Sequence, residues 1–132
     1  MKKSIFLLLL TSLVACSCGD DLMTGGVQYD RQGEGVFICN EGNFMYGNAS
    51  LSYYDPEKRE ADNQVFYNAN NFPLGDVCQS MSIIGGRGFV VVNNSGKVFV
   101  IDINTFKYLG VIKGLTSPRY IQQVSDDKIY IS

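Results

Sequence analysis

Residues 88–115 read GFVVVNNSGKVFVIDINTFKYLGVIKGL, and this stretch decides the fold class of the chain. It contains three short runs that are rich in β-branched and aromatic residues, separated by Asn, Ser, Gly and Thr. That pattern is typical of antiparallel strands joined by tight turns. The runs at 89–92 and 98–101 are apolar at every position, whereas a strand with one exposed face alternates. We therefore expect the sheet to be covered on both faces.

The same hairpin pattern recurs after about 40 residues, which is a period typical of propeller blades. The sequence SMSIIGGRGFVVV (80–92) aligns with YIQQVSDDKIYIS (120–132), which places Gly85–Gly86 opposite Ser125–Asp126 and Phe89 opposite Ile129. A weaker copy lies upstream, where GVFICN at 35–40 resembles GFVVVN. The repeat predicts an all-β chain of antiparallel, four-stranded β-propeller blades.

The length of the chain predicts an incomplete propeller. Closed propellers have about 4 to 8 blades, and residues 35–132 supply about two and a half blades of a ring of about seven. The sequence ends inside a predicted strand. This favours a truncated reading frame or fragment, and a half-propeller completed by a second chain is the alternative.

The N-terminus, MKKSIFLLLLTSLVAC, has the pattern of an export signal. Two lysines precede a short apolar run, and a small residue precedes Cys16, whereas a membrane anchor needs about 20 apolar residues. The ending LVAC resembles a bacterial lipobox. It predicts a signal peptide over 1–15 and a lipid on Cys16, followed by a flexible tether over 16–34. The alternative is a soluble secreted protein with a chance cysteine at the cleavage site.

Two acidic residues follow the predicted anchor, Asp20 and Asp21. Acids at this place resemble the signal that exports lipoproteins to the cell surface in Bacteroidetes. We therefore predict a lipid-anchored protein of the outer membrane, displayed at the cell surface. If the acids are only an ordinary hydrophilic linker, the periplasmic face of that membrane is the alternative.

The composition argues against several classes of partner and site. The formal net charge is −2 and the basic residues are not clustered, which argues against nucleic-acid binding. The sequence has no histidine and no zinc-type cysteine spacing, so it predicts neither a metal nor a cofactor. Cys39 and Cys78 could form a disulfide or remain two free, buried thiols, and sequence spacing does not decide between them.

The C-terminal part of the chain resembles a known repeat. The sequence VFVIDINTFKYLGVIKGLTSPRYIQQVSDDKIYIS, at 98–132, is similar to YVTN or YncE-type propeller repeats. The pieces NEGN at 40–43 and LGD at 74–76 resemble the propeller lipoproteins of gut Bacteroidetes, a group that includes a cobalamin-capture lipoprotein. Cys78 and Gln79 depart from the expected pattern after LGDV, which puts the cobalamin branch in question.

Local motifs supply the candidate site. The loop NEGNFMYGN offers amides and a ring, so Asn40, Asn43, Tyr46 and Asn48 are the ligand-binding candidates, with turn chemistry alone as the alternative. Asp55 and Asp102 end predicted strands and are expected to form Asx-turns. The segment IIGGRG is expected to be a hairpin turn.

The resemblance implies a non-enzymatic propeller that captures a small molecule, with a cobamide as the first ligand, for a TonB-dependent outer-membrane transporter. The sequence contains no recognisable nucleophile–base constellation, so no catalytic residue is predicted. The alternatives are a protein-interaction scaffold, a truncated remnant without independent function, and an enzyme whose active residues lie in other blades.

Overall fold

A computed structural model describes residues 25–132. The predicted signal peptide, Cys16 and residues 16–24 of the predicted tether lie outside the described residues. The prediction of a flexible tether is wrong for residues 27–31, which lie against the β domain: Tyr29 packs on Phe106, and the backbone N–H of Arg31 donates to the carbonyl of Asn104 at 3.1 Å. The strands are β1 (Val36–Asn40), β2 (Ser50–Asp55), β3 (Glu60–Asp62), β4 (Cys78–Ile84), β5 (Arg87–Val92), β6 (Lys97–Asp102), β7 (Tyr108–Lys113), β8 (Ile121–Ser125) and β9 (Lys128–Ile131), with one helix, α1 (Val65–Asn70).

The strands form three antiparallel sheets in sequence order: β1-β2-β3, β4-β5-β6-β7 and β8-β9. The middle sheet is a four-stranded meander, as predicted for one blade. Its first strand, β4, contacts β1 of the preceding sheet and β8 of the following one. Within residues 25–132 the sheets do not close into a barrel. The predicted all-β class is confirmed, and this open succession of sheets is compatible with part of a propeller.

The β4–β5 and β8–β9 hairpins confirm the repeat but correct its alignment. The first turn lies at Gly85–Gly86 as predicted, whereas the second lies one residue later than predicted, at Asp126–Asp127. The cause is an irregularity in β8 between Gln123 and Ser125, because a bulge adds one residue to a strand. Phe89 therefore corresponds to Tyr130.

Both faces of the middle sheet are covered, as its continuous apolar runs predict. Val90 and Val92 on β5 belong to the larger core, which lies between this sheet, the first sheet and α1. Val91, which points the opposite way, packs with Val98 and Ile121 in a second core toward β8. Since neighbouring residues of a strand face opposite sides, a fully apolar strand here fills two cores.

Helix α1 was not among the elements predicted from the sequence. It lies between β3 and β4 and buries Val65, Phe66 and Ala69 in the larger core. Asn70 fixes its end, since its side-chain amide donates to the carbonyl of Phe66 at 2.8 Å and to that of Phe106 at 2.9 Å. A helix of this length depends on packing for its stability. Over residues 25–132, no helix has the length and apolarity that a bilayer crossing requires.

Candidate functional site

The loop at residues 41–48 joins β1 to β2 and presents large side chains to solvent. Phe44 is 64%, Met45 78% and Tyr46 77% exposed, although they are consecutive and large. Single exposed apolar residues are common, but a contiguous group on one loop is a feature of binding surfaces. The loop is therefore a candidate binding surface within the described structure.

Local hydrogen bonds close this loop into a defined turn. The backbone N–H of Asn43 donates to Oδ1 of Asn48 at 2.8 Å, and the N–H of Tyr46 donates to the carbonyl of Asn43 at 3.0 Å. Met45 has a φ of 69°, in the left-handed region that a bulky side chain seldom adopts. Such a backbone angle persists when surrounding contacts enforce it, and it is enriched at functional sites.

Asp76 supplies the contact that holds Met45 in place. Its Oδ2 accepts the backbone N–H of Met45 at 2.8 Å and the side-chain amide of Asn94 at 2.5 Å. The N–H of Asp76 in turn donates to Oγ of Ser95 at 3.0 Å. Three loops thus meet at one end of the sheets, and we call residues 41–48, 73–76 and 93–96 the loop cluster.

Asp76 is 9% exposed, and the hydrogen-bonding capacity of its carboxylate is only partly used. Within the described structure its second oxygen, Oδ1, is buried without a hydrogen-bond partner. Buried polar atoms of this kind are rare, because leaving one unpaired costs stability. The loop cluster therefore contains a buried acceptor beside the exposed apolar side chains.

Gly75 allows the loops to approach each other. Its φ is 126°, and its carbonyl accepts the N–H of Ala49 at 3.1 Å. A Cβ at this position would lie 2.7 Å from Oγ of Ser95 and 3.2 Å from Nζ of Lys97. The ammonium group of this neighbouring Lys97 has a lowered pKa, first because of its burial and second because of the charge of Lys113. Position 75 therefore requires glycine for its backbone angle and for space.

A cavity of about 160 Å³ adjoins the loop cluster on the side of α1. Asn48 and Gln64 supply amides to its wall, and Leu51 and Phe66 supply apolar surface. Tyr67 also lines it and is half exposed. The lining mixes apolar surface with a few amides, as ligand sites do, but the cavity is smaller than the roughly 300–1,000 Å³ of ordinary small-molecule pockets and has room for only part of a ligand.

The structure divides the four predicted site residues into two groups. Asn43, Tyr46 and Asn48 lie together on the exposed loop, with Asn48 also serving the turn. Asn40 lies at the end of β1, and its amide donates to Ser50 Oγ at 3.2 Å and to Ser52 Oγ at 2.8 Å. Its side chain is thus engaged between the first two strands.

Asp76 and Asn94, which hold the loop from other segments, were not among the predicted site residues. Asp76 belongs to the LGD piece that carried the family resemblance, and Asn94 lies in the turn between β5 and β6. A polar residue directly after a glycine, between apolar segments, is the signal that could have pointed to Asp76. That Asp76 binds the backbone of Met45 could not be inferred from the sequence, because the two residues are 31 positions apart.

The two predicted Asx-turns are confirmed. Oδ1 of Asp55 accepts the N–H groups of Glu57 and Lys58, and Oδ1 of Asp102 accepts those of Asn104 and Thr105. The N–H of Lys58 lowers the pKa of Asp55, and the N–H of Thr105 lowers that of Asp102, because each bond favours the carboxylate. Both acids therefore have a structural role at the ends of strands.

In residues 25–132, no cluster of three His, Cys, Asp or Glu side chains could hold a metal ion. Cys39 and Cys78 are free thiols, and Cys78 is buried. The side chains of the loop cluster include aromatic rings, amides and the carboxylates of Glu41 and Asp76.

Comparison with known proteins places the chain in a family. Among curated proteins, none matches the sequence. A family model described as "Domain of unknown function (DUF5074)" matches residues 34–132, which include all three sheets and the loop cluster. Because this match covers most of the sequence, the chain belongs to the DUF5074 family.

Proposed function

We propose that this protein is a cell-surface lipoprotein whose β domain binds a small molecule without altering it. The bound molecule is passed to a TonB-dependent transporter in the outer membrane. Cys16 carries the lipid anchor, and the tether allows the domain to reach the transporter. The loop cluster and the adjoining cavity form the binding site.

The observation that carries this proposal is the fixed loop with its exposed side chains. Phe44, Met45 and Tyr46 are exposed to solvent, while Asp76 accepts the backbone N–H of Met45 and Asn48 accepts that of the preceding Asn43. Aromatic side chains provide a large contact area at a small cost in conformational entropy. A loop that is already ordered loses little further freedom when it binds.

The side chains of the loop cluster are sufficient to bind a ligand, whereas catalysis would require further reactive groups. The loop cluster offers aromatic rings, amides and the carboxylates of Glu41 and Asp76, and Oδ2 of Asp76 already accepts hydrogen bonds from Met45 and Asn94. These groups can recognise a molecule that has an apolar face and polar edges. A cobamide has that character, and the resemblance of NEGN and LGD to propeller lipoproteins makes it the first ligand to test.

The test is calorimetric titration of the purified lipoprotein in detergent with a cobamide. The wild type is expected to bind, and Tyr46→Ala is expected to weaken binding about tenfold or more, as loss of an aromatic anchor does. The matched control is Tyr120→Ala, because Tyr120 is also exposed but lies outside the loop cluster.

The possible outcomes of this titration test the site, the ligand and the function in binding separately. Equal weakening by both tyrosine variants would remove the loop cluster as the site. Absence of binding by the wild type would remove the cobamide assignment. Turnover of a glycan or ester substrate by the same preparation would contradict a function in binding alone.

A further inference from the structure

Cys39 and Cys78 lie next to each other although they belong to different sheets. Cys39 is on β1, and Cys78 is the first residue of β4, which contacts β1. Cys39 packs against the larger core, of which Cys78 is a member. The two thiols are close enough to interact directly. The fold thus pairs two cysteines that sequence spacing alone could not pair.

The two thiols differ in access and in acidity. Cys78 is 2% exposed, whereas Cys39 is only partly buried. The neighbouring Cys78 thiol lowers the pKa of Cys39, whereas the Cys39 thiol, together with burial, raises the pKa of Cys78. Since the thiolate is the nucleophile in thiol–disulfide exchange, Cys39 is the thiol that reacts first.

We propose that Cys39 and Cys78 are a modification site, at which an external disulfide oxidises them to a disulfide that joins β1 to β4. The oxidant is a disulfide-bearing small molecule or a thiol oxidoreductase of the exported compartment, where such bonds persist. This inference does not depend on the proposed ligand.

The reaction is ordinary exchange in two steps. The Cys39 thiolate attacks one sulfur of the external disulfide, forms a mixed disulfide and releases one external thiolate. The Cys78 thiol then loses its proton and attacks the sulfur of Cys39, which releases the second external thiolate. The two protein thiols are oxidised, and the external disulfide is reduced to two thiols.

The disulfide would join two segments that flank the candidate site. Cys39 lies just before loop 41–48, and Cys78 lies just after segment 73–76, so the cross-link would tie the stems of both. A cross-link of this kind restricts the unfolded chain and stabilises the folded one, provided that the native geometry accepts it. The oxidised protein should therefore unfold at a higher denaturant concentration than the reduced protein.

The test exposes the folded, reduced lipoprotein to oxidised glutathione, followed by acid quenching, alkylation and tryptic mass spectrometry. Trypsin places Cys39 in peptide 32–58 and Cys78 in peptide 60–87. The other two cysteines share the peptide that ends at residue 31. We expect peptides 32–58 and 60–87 to appear cross-linked, about 2 Da lighter than the sum of their reduced forms because two hydrogens are lost.

Two serine variants test the order of the two exchange steps. Cys78→Ser should retain glutathione on Cys39, because the second step is removed, whereas Cys39→Ser should leave the buried Cys78 unmodified while the protein remains folded. Two separately alkylated or glutathionylated peptides from the wild type would overturn the proposal. So would cross-links to the N-terminal cysteines in place of the Cys39–Cys78 bond.

Discussion

The carboxylate of Asp76 accepts the backbone N–H of Met45 at 2.8 Å, across 31 residues of sequence. Met45 is exposed and has a left-handed backbone, whereas Asp76 is buried. One buried acid thus holds the most exposed part of loop 41–48. This relationship explains how the loop can be both solvent-facing and ordered, and it leads to the first prediction.

Asp76→Ala should destabilise the protein and loosen the loop. Removing the acceptor for Met45 and Asn94 is expected to cost about 1–3 kcal/mol of unfolding free energy. Denaturant unfolding measures this cost, and amide hydrogen exchange at Met45 should become faster. The control is Asp126→Ala in the exposed β8–β9 turn, which should change the unfolding free energy by less than about 0.5 kcal/mol. Unchanged exchange at Met45 would contradict the prediction.

Gly75→Ala should destabilise the protein through backbone strain and crowding. The residue has a φ of 126°, and the new Cβ would lie 2.7 Å from Oγ of Ser95. We expect a loss of about 1–3 kcal/mol in unfolding free energy. Gly110→Ala is the matched control, because no atom lies within 4 Å of a Cβ built there. Equal unfolding midpoints for the two variants would disprove the steric argument.

Phe106→Ala should be among the most destabilising substitutions. The ring is fully buried, with its centroid 4.8 Å from that of Tyr29, 5.7 Å from that of Phe37 and 5.3 Å from that of Tyr53. Truncating a buried phenylalanine costs about 3–5 kcal/mol, because a cavity remains. Phe44→Ala, at an exposed phenylalanine, should leave the unfolding free energy nearly unchanged. A small effect of Phe106→Ala on chemical unfolding would count against the packing described here.

Asp102 should contribute stability that depends on pH. Hydrogen bonds, first of all from the backbone of Thr105, hold its pKa below the ordinary value of 3.8. A lowered pKa gives stability that is complete above the unfolded-state value and is lost as the pH falls through the folded-state value. Asp102→Asn should therefore unfold more easily than the wild type near neutral pH, with the difference shrinking below pH 3.8. Urea unfolding over a pH series checks this, and a constant difference would refute it.

Cys16→Ala should abolish lipid attachment. The motif LVAC places Cys16 at the predicted cleavage site, while Cys18 lies two residues beyond it. Metabolic labelling with a fatty-acid analogue should mark the wild type and Cys18→Ala but not Cys16→Ala. Persistent label on Cys16→Ala would show that the anchor lies elsewhere.

Much of the fold could be predicted because its signals are local. The apolar runs at 89–92 and 98–101, with turn residues between them, indicated the strands of the middle sheet, their order and their coverage on both faces. The Asx-turns of Asp55 and Asp102 were likewise predictable. Strand periodicity and turn chemistry act over a few neighbouring residues, so they are visible in the sequence.

Features that depend on distant contacts required the tertiary structure. Helix α1 is too short for its own propensity to show, and it is stabilised by burying Phe66 in the core. The candidate site divides in the same way. The loop with Tyr46 was predicted, whereas the support from Asp76 was not, and whether Cys39 and Cys78 lie close together could not be decided from sequence spacing. Those contacts join segments that are far apart in sequence, and only the packing of the sheets against one another brings them together.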